Sequence, residues 1–526
     1  MKQLFLAAAF AAIAALNPAA GQTGSPLMSD LAAARFLDQA TWGPTPASIV
    51  QLEQVGINTW LAAQFTLNTS DLPDQPLLNS AGKTNEDLTP VQRAFFANAV
   101  NGPDQLRQRV AFALSEIFVA SAVQVKPAYA IPPYWRILRD HAFGNYRDII
   151  KAVTLNPAMG TYLSMANNNK GNASKGTSAN ENYARELLQL FTLGLTKLNP
   201  DGSPALDASG NPVPTYDQAE ITSEAKMLTG WKYPTAPGAT AKNNNPAYYF
   251  GQMIPVEAEH DTSAKTIFGA IQIPAGQTAE QDLESLLDAL MAQPTMAPFV
   301  GRQLIQHLVT SNPSPAYIQR VATAFENNGE GVRGDMAAVI TAILSDPEAR
   351  EGDQIGAEIG AEPNPAFGHL REPVLFMANL LRGLNATLGA GSTVYNEANL
   401  MGQDLFYEPS VFSYFSPLYR ISGGQLAPEF QIYSTQAAAE RADVINAALY
   451  GKLDKTTTVD LTPFVSRGSD LSSLLDYASY VFLHSTMPPG LSEQAAAAAG
   501  AVTSPTARAQ AVLYLVLTSS AYQVIQ

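Results

Sequence analysis

The sequence predicts a mainly α protein: a large multi-helical body with long irregular loops and one small β-hairpin insertion. Three observations predict it. Apolar residues recur at three- and four-residue intervals through most of the 526-residue chain. Cap residues followed by Pro, as at Thr45-Pro46 and Thr89-Pro90, stand ahead of those runs. Paired turn signals joined by a short apolar run occur in one stretch, KLNPDGSPALDASGNPVPTYDQ.

Composition narrows the class. Hydrophobic residues make up 46% of the chain and charged residues 15%, the balance of a globular protein rather than a disordered one. A net charge of −15 argues against a nucleic-acid or anionic-membrane surface, since both want clustered Lys and Arg. Small cations, metals and neutral sugars stay open as ligands. Cysteine is absent, which removes disulfides, thiolate metal sites and a Cys nucleophile.

At the start of the chain, Lys2 precedes LFLAAAFAAIAAL, and Ala19, Ala20 and Gly21 supply small residues for cleavage. Residues 1–21 therefore read as a signal peptide, cut near residue 20–21, and the mature chain as exported, periplasmic or secreted. The apolar run is too short for a membrane anchor, which needs about 20 residues. The next most apolar segment, Ala509 to Ile525, is interrupted by Thr518, Ser519 and Ser520.

Helices follow in order. Ser29 caps SDLAAARFLDQAT, which ends at Trp42-Gly43-Pro44. Residues 66–88 are rich in Pro, Asn, Asp and Gly and read as a surface loop. From Asp104 to Ser121 a stripe of Leu106, Val110, Ala113, Leu114, Ile117 and Phe118 predicts a strong helix, with Arg107 and Glu116 off the stripe as solvated or ion-paired charges. Further helices are expected over Ile131–Phe143, Tyr146–Leu155, Met159–Ala166 and Asp217–Thr229, then Ala279–Met291, Met296–Val309, Ala316–Asn327, Asp335–Leu344 and Arg371–Leu384. Residues 232–276 read as a long irregular stretch. Residues 403–428, LFYEPSVFSYFSPLYRISGG in their core, are aromatic and Pro/Ser-rich and are expected to line or plug a groove.

The chemistry-bearing candidates begin with NENYARELLQLFTLGL, Asn180 to Leu195. At 100° per residue Glu181, Asn182, Arg185, Glu186, Gln189 and Thr192 fall within an arc of about 140°, opposite Tyr183, Ala184, Leu187, Leu188, Leu190 and Phe191. Ser178 to Glu181 matches a capping box, which explains Glu181, and the Glu181–Arg185 pair contributes only about 0.2–0.5 kcal/mol if exposed. Glu186 caps nothing and is the stronger general acid/base candidate. Among five His, His260 stands out, flanked by Glu259 and Asp261 in an irregular segment where a carboxylate can orient an imidazole or share a divalent cation with it. His307 and His484 read as structural.

Other chemistries are excluded by motif. GNASKGTS has the glycine spacing of a phosphate loop, but Thr177 stands where the Lys should. No G-x-S-x-G elbow or H-E-x-x-H run occurs. Asp201, Asp207 and Asn211 lack EF-hand spacing, so a hairpin is preferred over a calcium loop.

AARFLDQATWGPT, LRQRVAFALSEIF, NPAMGTYL, NENYARELLQLFTLGL, YDQAEITSEAKMLTGW, HDTSAKTIFG and LFYEPSVFSYFSP together resemble the bacterial "domain of unknown function 1800" family, from about Ser29 to the C-terminus. The resemblance implies an exported, mostly helical protein, often encoded beside an exported sulfatase-like protein that is a candidate partner. It implies a single domain over 22–526, with helical parts 29–195, 277–350 and 365–526 around an insert at 196–276. The family motifs fall on Asn180 to Glu186 and on His260, Asp261 and Lys265. One departure concerns Phe112 to Phe118, FALSEIF, where many members carry a Trp-His-Asn-His-like run, so a metal site built on those histidines is not expected here.

Two functions are compatible with these residues. One is an exported hydrolase acting on polysaccharide or another cell-surface substrate, with Glu186 as acid/base, Arg185 holding an anionic group, and His260-Asp261 assisting or binding a cation. The other is a non-catalytic binding or assembly protein docking an exported partner, in which Arg185 sits between Glu181 and Glu186 in a buried network.

Overall fold

The computed structural model describes residues 27–354 and 367–526. The signal-peptide reading of residues 1–21 lies outside them. Helices dominate, and the β structure among the described residues is four short antiparallel pairs, so the chain is mainly α as the sequence predicts.

Helix boundaries follow the capping chemistry closely. Ser29 accepts from Ala32 N ahead of Asp30–Ala40, and Thr45 and Ser48 form a reciprocal capping box ahead of Pro46–Thr66. Thr278 and Gln281 do the same for Ala279–Met291. Helices also span Gln105–Ile117, Tyr146–Thr154, Gln218–Met227, Met296–Leu308 and Pro373–Gly383, each within a few residues of its expected position. Their apolar stripes merge into one continuous buried cluster running from Ala33 to Ile525.

The insertion differs from a regular hairpin. Isolated bridges join Thr196 to Pro214, Leu198 to Pro204 and Leu206 to Pro212, folding 196–214 into three short antiparallel legs. Three prolines at bridge positions carry no N–H, so no ladder extends. Asp201 accepts from Ser203 and Asp207 from Ser209 and Asn211, so these carboxylates hold turns. The regular hairpin lies further on, Lys265–Ile267 against Ile271–Ile273, inside the stretch read as irregular.

Two pairings bring distant chain segments together. His369–Leu370 pairs with Val524–Ile525. Gly368, at φ +96°, sits so close to Ile525 that a Cβ there would meet its carbonyl oxygen, a site only glycine fills. Asp38, buried in the first helix, takes three hydrogen bonds of 2.8–3.0 Å from the Arg371 guanidinium and one of 2.9 Å from Asn379.

Candidate functional site

The Gln105–Ile117 helix is buried on nearly every face. Val110-Ala111-Phe112-Ala113-Leu114 leaves it no polar side, so its charges lie inside. Arg109 is fully buried, and its Nη2 donates to the His307 carbonyl while Nε and Nη1 have no protein partner. Two turns on, Glu116 has a side chain 2% exposed.

Five other segments bring polar groups to the same region. His307, near the end of Met296–Leu308, puts Nδ1 3.2 Å from Glu116 Oε2, close but off hydrogen-bond alignment. Glu372 is the N-cap residue of Pro373–Gly383 yet does not cap it. Gln403 takes that role: its Oε1 accepts from Val374 N at 2.8 Å, freeing its Nε2 to donate to Glu372 Oε2 at 2.5 Å and Glu116 Oε1 at 3.4 Å. The Glu116 and Glu372 carboxyls are themselves within hydrogen-bonding reach. On the paired strand, His369 Nδ1 lies 3.0 Å from Glu429 Oε1. That leaves His369 Nε2 and Glu429 Oε2 buried without partners.

Burial sets the proton chemistry. Losing water pushes Glu116 up to about 8; contact with Glu372 and the Arg109 charge oppose this, while Glu429 and Glu408 add to it. Glu372 is raised well above the carboxylate range by burial and then by Glu116. Glu408, also buried, is pushed up to about 7. Burial lowers His307, keeping its imidazole neutral at pH 7. Two carboxyls this close cannot both ionise cheaply, so Glu116 and Glu372 hold on to their protons at neutral pH.

A small cavity of about 30 Å³, room for roughly two water molecules, opens beside Glu116, His307 and Glu429. Its apolar lining includes Ile117, Leu190, Val411, Phe412, Phe415 and Pro417. The 403–428 segment thus does line a groove. Within it Phe406 and Ser413 hold left-handed backbone at φ 73° and 61°, a conformation costing such residues of order 1–3 kcal/mol.

The residues singled out in sequence fall into two other groups. Asn182–Glu186 is α-helical, but Leu187–Thr192 widens into a π-helix in which Thr192 turns inward and its Oγ1 donates to the Leu187 carbonyl. Leu190 thereby reaches the cavity. The capping box does not form: Glu181 instead accepts from Gln218 at 2.8 Å and Thr222 at 2.9 Å, tying the helix to Gln218–Met227. Arg185 is 41% exposed and only 3.5 Å from Glu181, so it anchors no buried network. Glu186 is half-buried with Oε2 unpartnered and is raised by burial against the Arg185 charge. Tyr162 is pushed up to about 12 by burial and then by Glu408 and Glu186.

His260 is fully buried. Its oriented partner is Asp282 at 3.1 Å from Nε2, with the Thr229 carbonyl 2.9 Å from Nδ1, rather than the neighbouring Asp261. Lys265 Nζ pairs with the same Asp282 oxygen at 2.7 Å. Asp261 accepts from Ser263, holding a turn. No hydrogen bond or ion pair among the described residues joins Glu186 to His260. Likewise, among the described residues no three His, Asp or Glu side chains are spaced as ligands of one ion.

Sequence pattern alone reads Glu116 as a solvated or ion-paired charge and His307 as structural, and it singles out none of Glu372, Glu429 and His369. The usable signal was the apolar helix around Arg109 and Glu116, which left those charges nowhere to go but inward.

The family model described as "Protein of unknown function (DUF1800)" matches residues 35–524, and the chain belongs to that family. No curated protein matches it, and no solved structure does.

Proposed function

We propose that the protein is an exported hydrolase acting on a cell-surface polymer, with Glu116 and Glu372 as its acid/base pair. The observation that carries this is two buried carboxyls within hydrogen-bonding reach, both held to their protons by burial, with Glu116 lining a cavity that holds water-sized groups. One carboxyl ionised and one protonated, the state reached as Glu116 gives up its proton near pH 8, is what is needed to take a proton from water and return one to a leaving group. In that step water loses a proton to the carboxylate, its oxygen bonds to the substrate, and the bond to the leaving group breaks as the other carboxyl protonates it. Neutral His307 is close enough to Glu116 to orient it.

Only a small substituent next to the scissile bond enters so small a cavity, and the rest of a polymer lies across its mouth. Phe412, Leu418 and Tyr419 expose apolar surface on that covering segment, a platform on which sugar rings stack. The leader-like N-terminal residues support export.

The full-length chain, with and without Glu116→Gln, is assayed on p-nitrophenyl acetate, p-nitrophenyl glycosides and reducing-end release from cell-wall polysaccharide. Turnover that drops at least about 100-fold in the variant is expected. Equal turnover in both proteins ends the reading.

A further inference from the structure

We infer that the cavity is a recognition site for a primary ammonium group, so that the substrate carries an amine. This deepens the hydrolase proposal and rests on the same cavity.

Charge comes first. Glu116, Glu372, Glu408 and Glu429 are all buried around the site, with Arg109 as the buried guanidinium among them. Arg109 directs its Nη2 at the His307 carbonyl and makes no hydrogen bond to any of the four. Two carboxylate oxygens, Glu116 Oε2 and Glu429 Oε2, are buried and unpartnered in residues that line the cavity, their side chains 2% and 5% exposed. Buried acceptors left without donors are destabilising, and a ligand carrying donors relieves that cost.

Shape and lining narrow the ligand. A cavity of about 30 Å³ admits a head the size of an ammonium group but no sugar ring. An ammonium brings three N–H donors and a full positive charge, answering both free oxygens at once. A hydroxyl offers one donor for two acceptors, and a phosphate, sulfate or carboxylate would bring further acceptors to oxygens that lack donors. The collar of Ile117, Leu190, Val411, Phe412 and Phe415 suits an aliphatic neck behind the charge, and the two phenyl rings can attract a cation passing between them. An amino sugar and a lysine-like side chain both present that chemistry.

The test is calorimetric titration of the full-length protein at pH 7 with n-butylammonium chloride, D-glucosamine and the neutral isostere 1-pentanol. Saturable binding of an amine at least tenfold tighter than 1-pentanol is expected. Glu429→Gln should weaken it at least tenfold, and Phe412→Ala, at a rim residue 40% exposed and safe for folding, severalfold. Tighter glucosamine identifies an amino sugar, and tighter butylammonium a basic side chain. Equal affinity for 1-pentanol, indifference to both substitutions, or micromolar Zn²⁺ or Mn²⁺ binding at the site without amine binding overturns the inference. Binding is read without turnover, so the two proposals fail separately. Lost turnover in Glu116→Gln with no amine binding sinks this one alone, and amine binding with turnover unchanged in Glu116→Gln sinks only the other.

Discussion

Glu116 keeps its proton near neutral pH because burial and two neighbouring carboxyls outweigh Glu372 contact and Arg109. That has a consequence for stability. The unfolded chain ionises this carboxyl near 4.5 and the folded protein only near 8, so between those values the folded state binds more protons. Stability from this group is then fully present below about pH 4.5 and is lost progressively as pH rises to about 8, by an amount on the order of a few kcal/mol. Glu408, raised to about 7, acts in the same direction over a narrower window. Glu116→Gln should flatten the fall in Tm between pH 5 and 8, and a Tm profile parallel to the wild type would contradict it. At this scale the sequence was least legible. A helical wheel places Glu116 off the apolar stripe and so on a surface, because it does not know that five other segments close over that face. Glu372 sits at a helix start, where an acid has a ready local explanation, and only the three-dimensional position of Gln403 shows that the cap is made by another residue.

Elements were far more legible than residues. Caps and prolines mark most helix starts because they act locally, through one or two backbone N–H groups. Tertiary packing overrode local sequence in two places. The segment after Glu186 becomes a π-helix, a one-residue widening that rotates everything beyond it and turns Thr192 from the polar arc into the core. The 196–214 insertion folds back as expected but cannot build a ladder through its prolines. The Lys265–Ile267 hairpin is held to the Ala279–Met291 helix by Asp282, which serves His260 and Lys265 together in a fully buried setting. Asp282→Asn would leave the Lys265 ammonium buried without a counter-charge, at a cost of about 3–5 kcal/mol. His260→Ala should lower Tm as well, yet leave turnover per folded molecule within about twofold. A large loss of turnover with Tm unchanged would return His260 to the chemistry.

Across the whole molecule, a few buried polar contacts join segments that the chain separates by hundreds of residues. Asp38 and Arg371 are 333 positions apart and form a bidentate pair that also receives Asn379. His484, pushed down to about 4 by burial, lies against the same carboxylate as a neutral imidazole. Arg371→Ala removes the one cation bonded to Asp38 and should cost about 3–5 kcal/mol, read as a drop in Tm; a loss under 1 kcal/mol would show that Asp38 is satisfied by other groups. Nothing in local sequence pattern signals such a pair, since each partner taken alone is an ordinary charge on a helix or a strand end. Arg371 also donates from Nε to the Tyr522 carbonyl, and the next residues, Val524 and Ile525, pair with the strand that carries His369. His369 in turn holds Glu429 beside the cavity. The last residues of the chain therefore brace the strand that sets Glu429 beside the cavity, so removing Val524 to Gln526 should lower Tm and loosen that side of the site, as a Tm comparison with the full chain would show. The final turn of the chain is thus a strut for a centre built from residues far upstream of it.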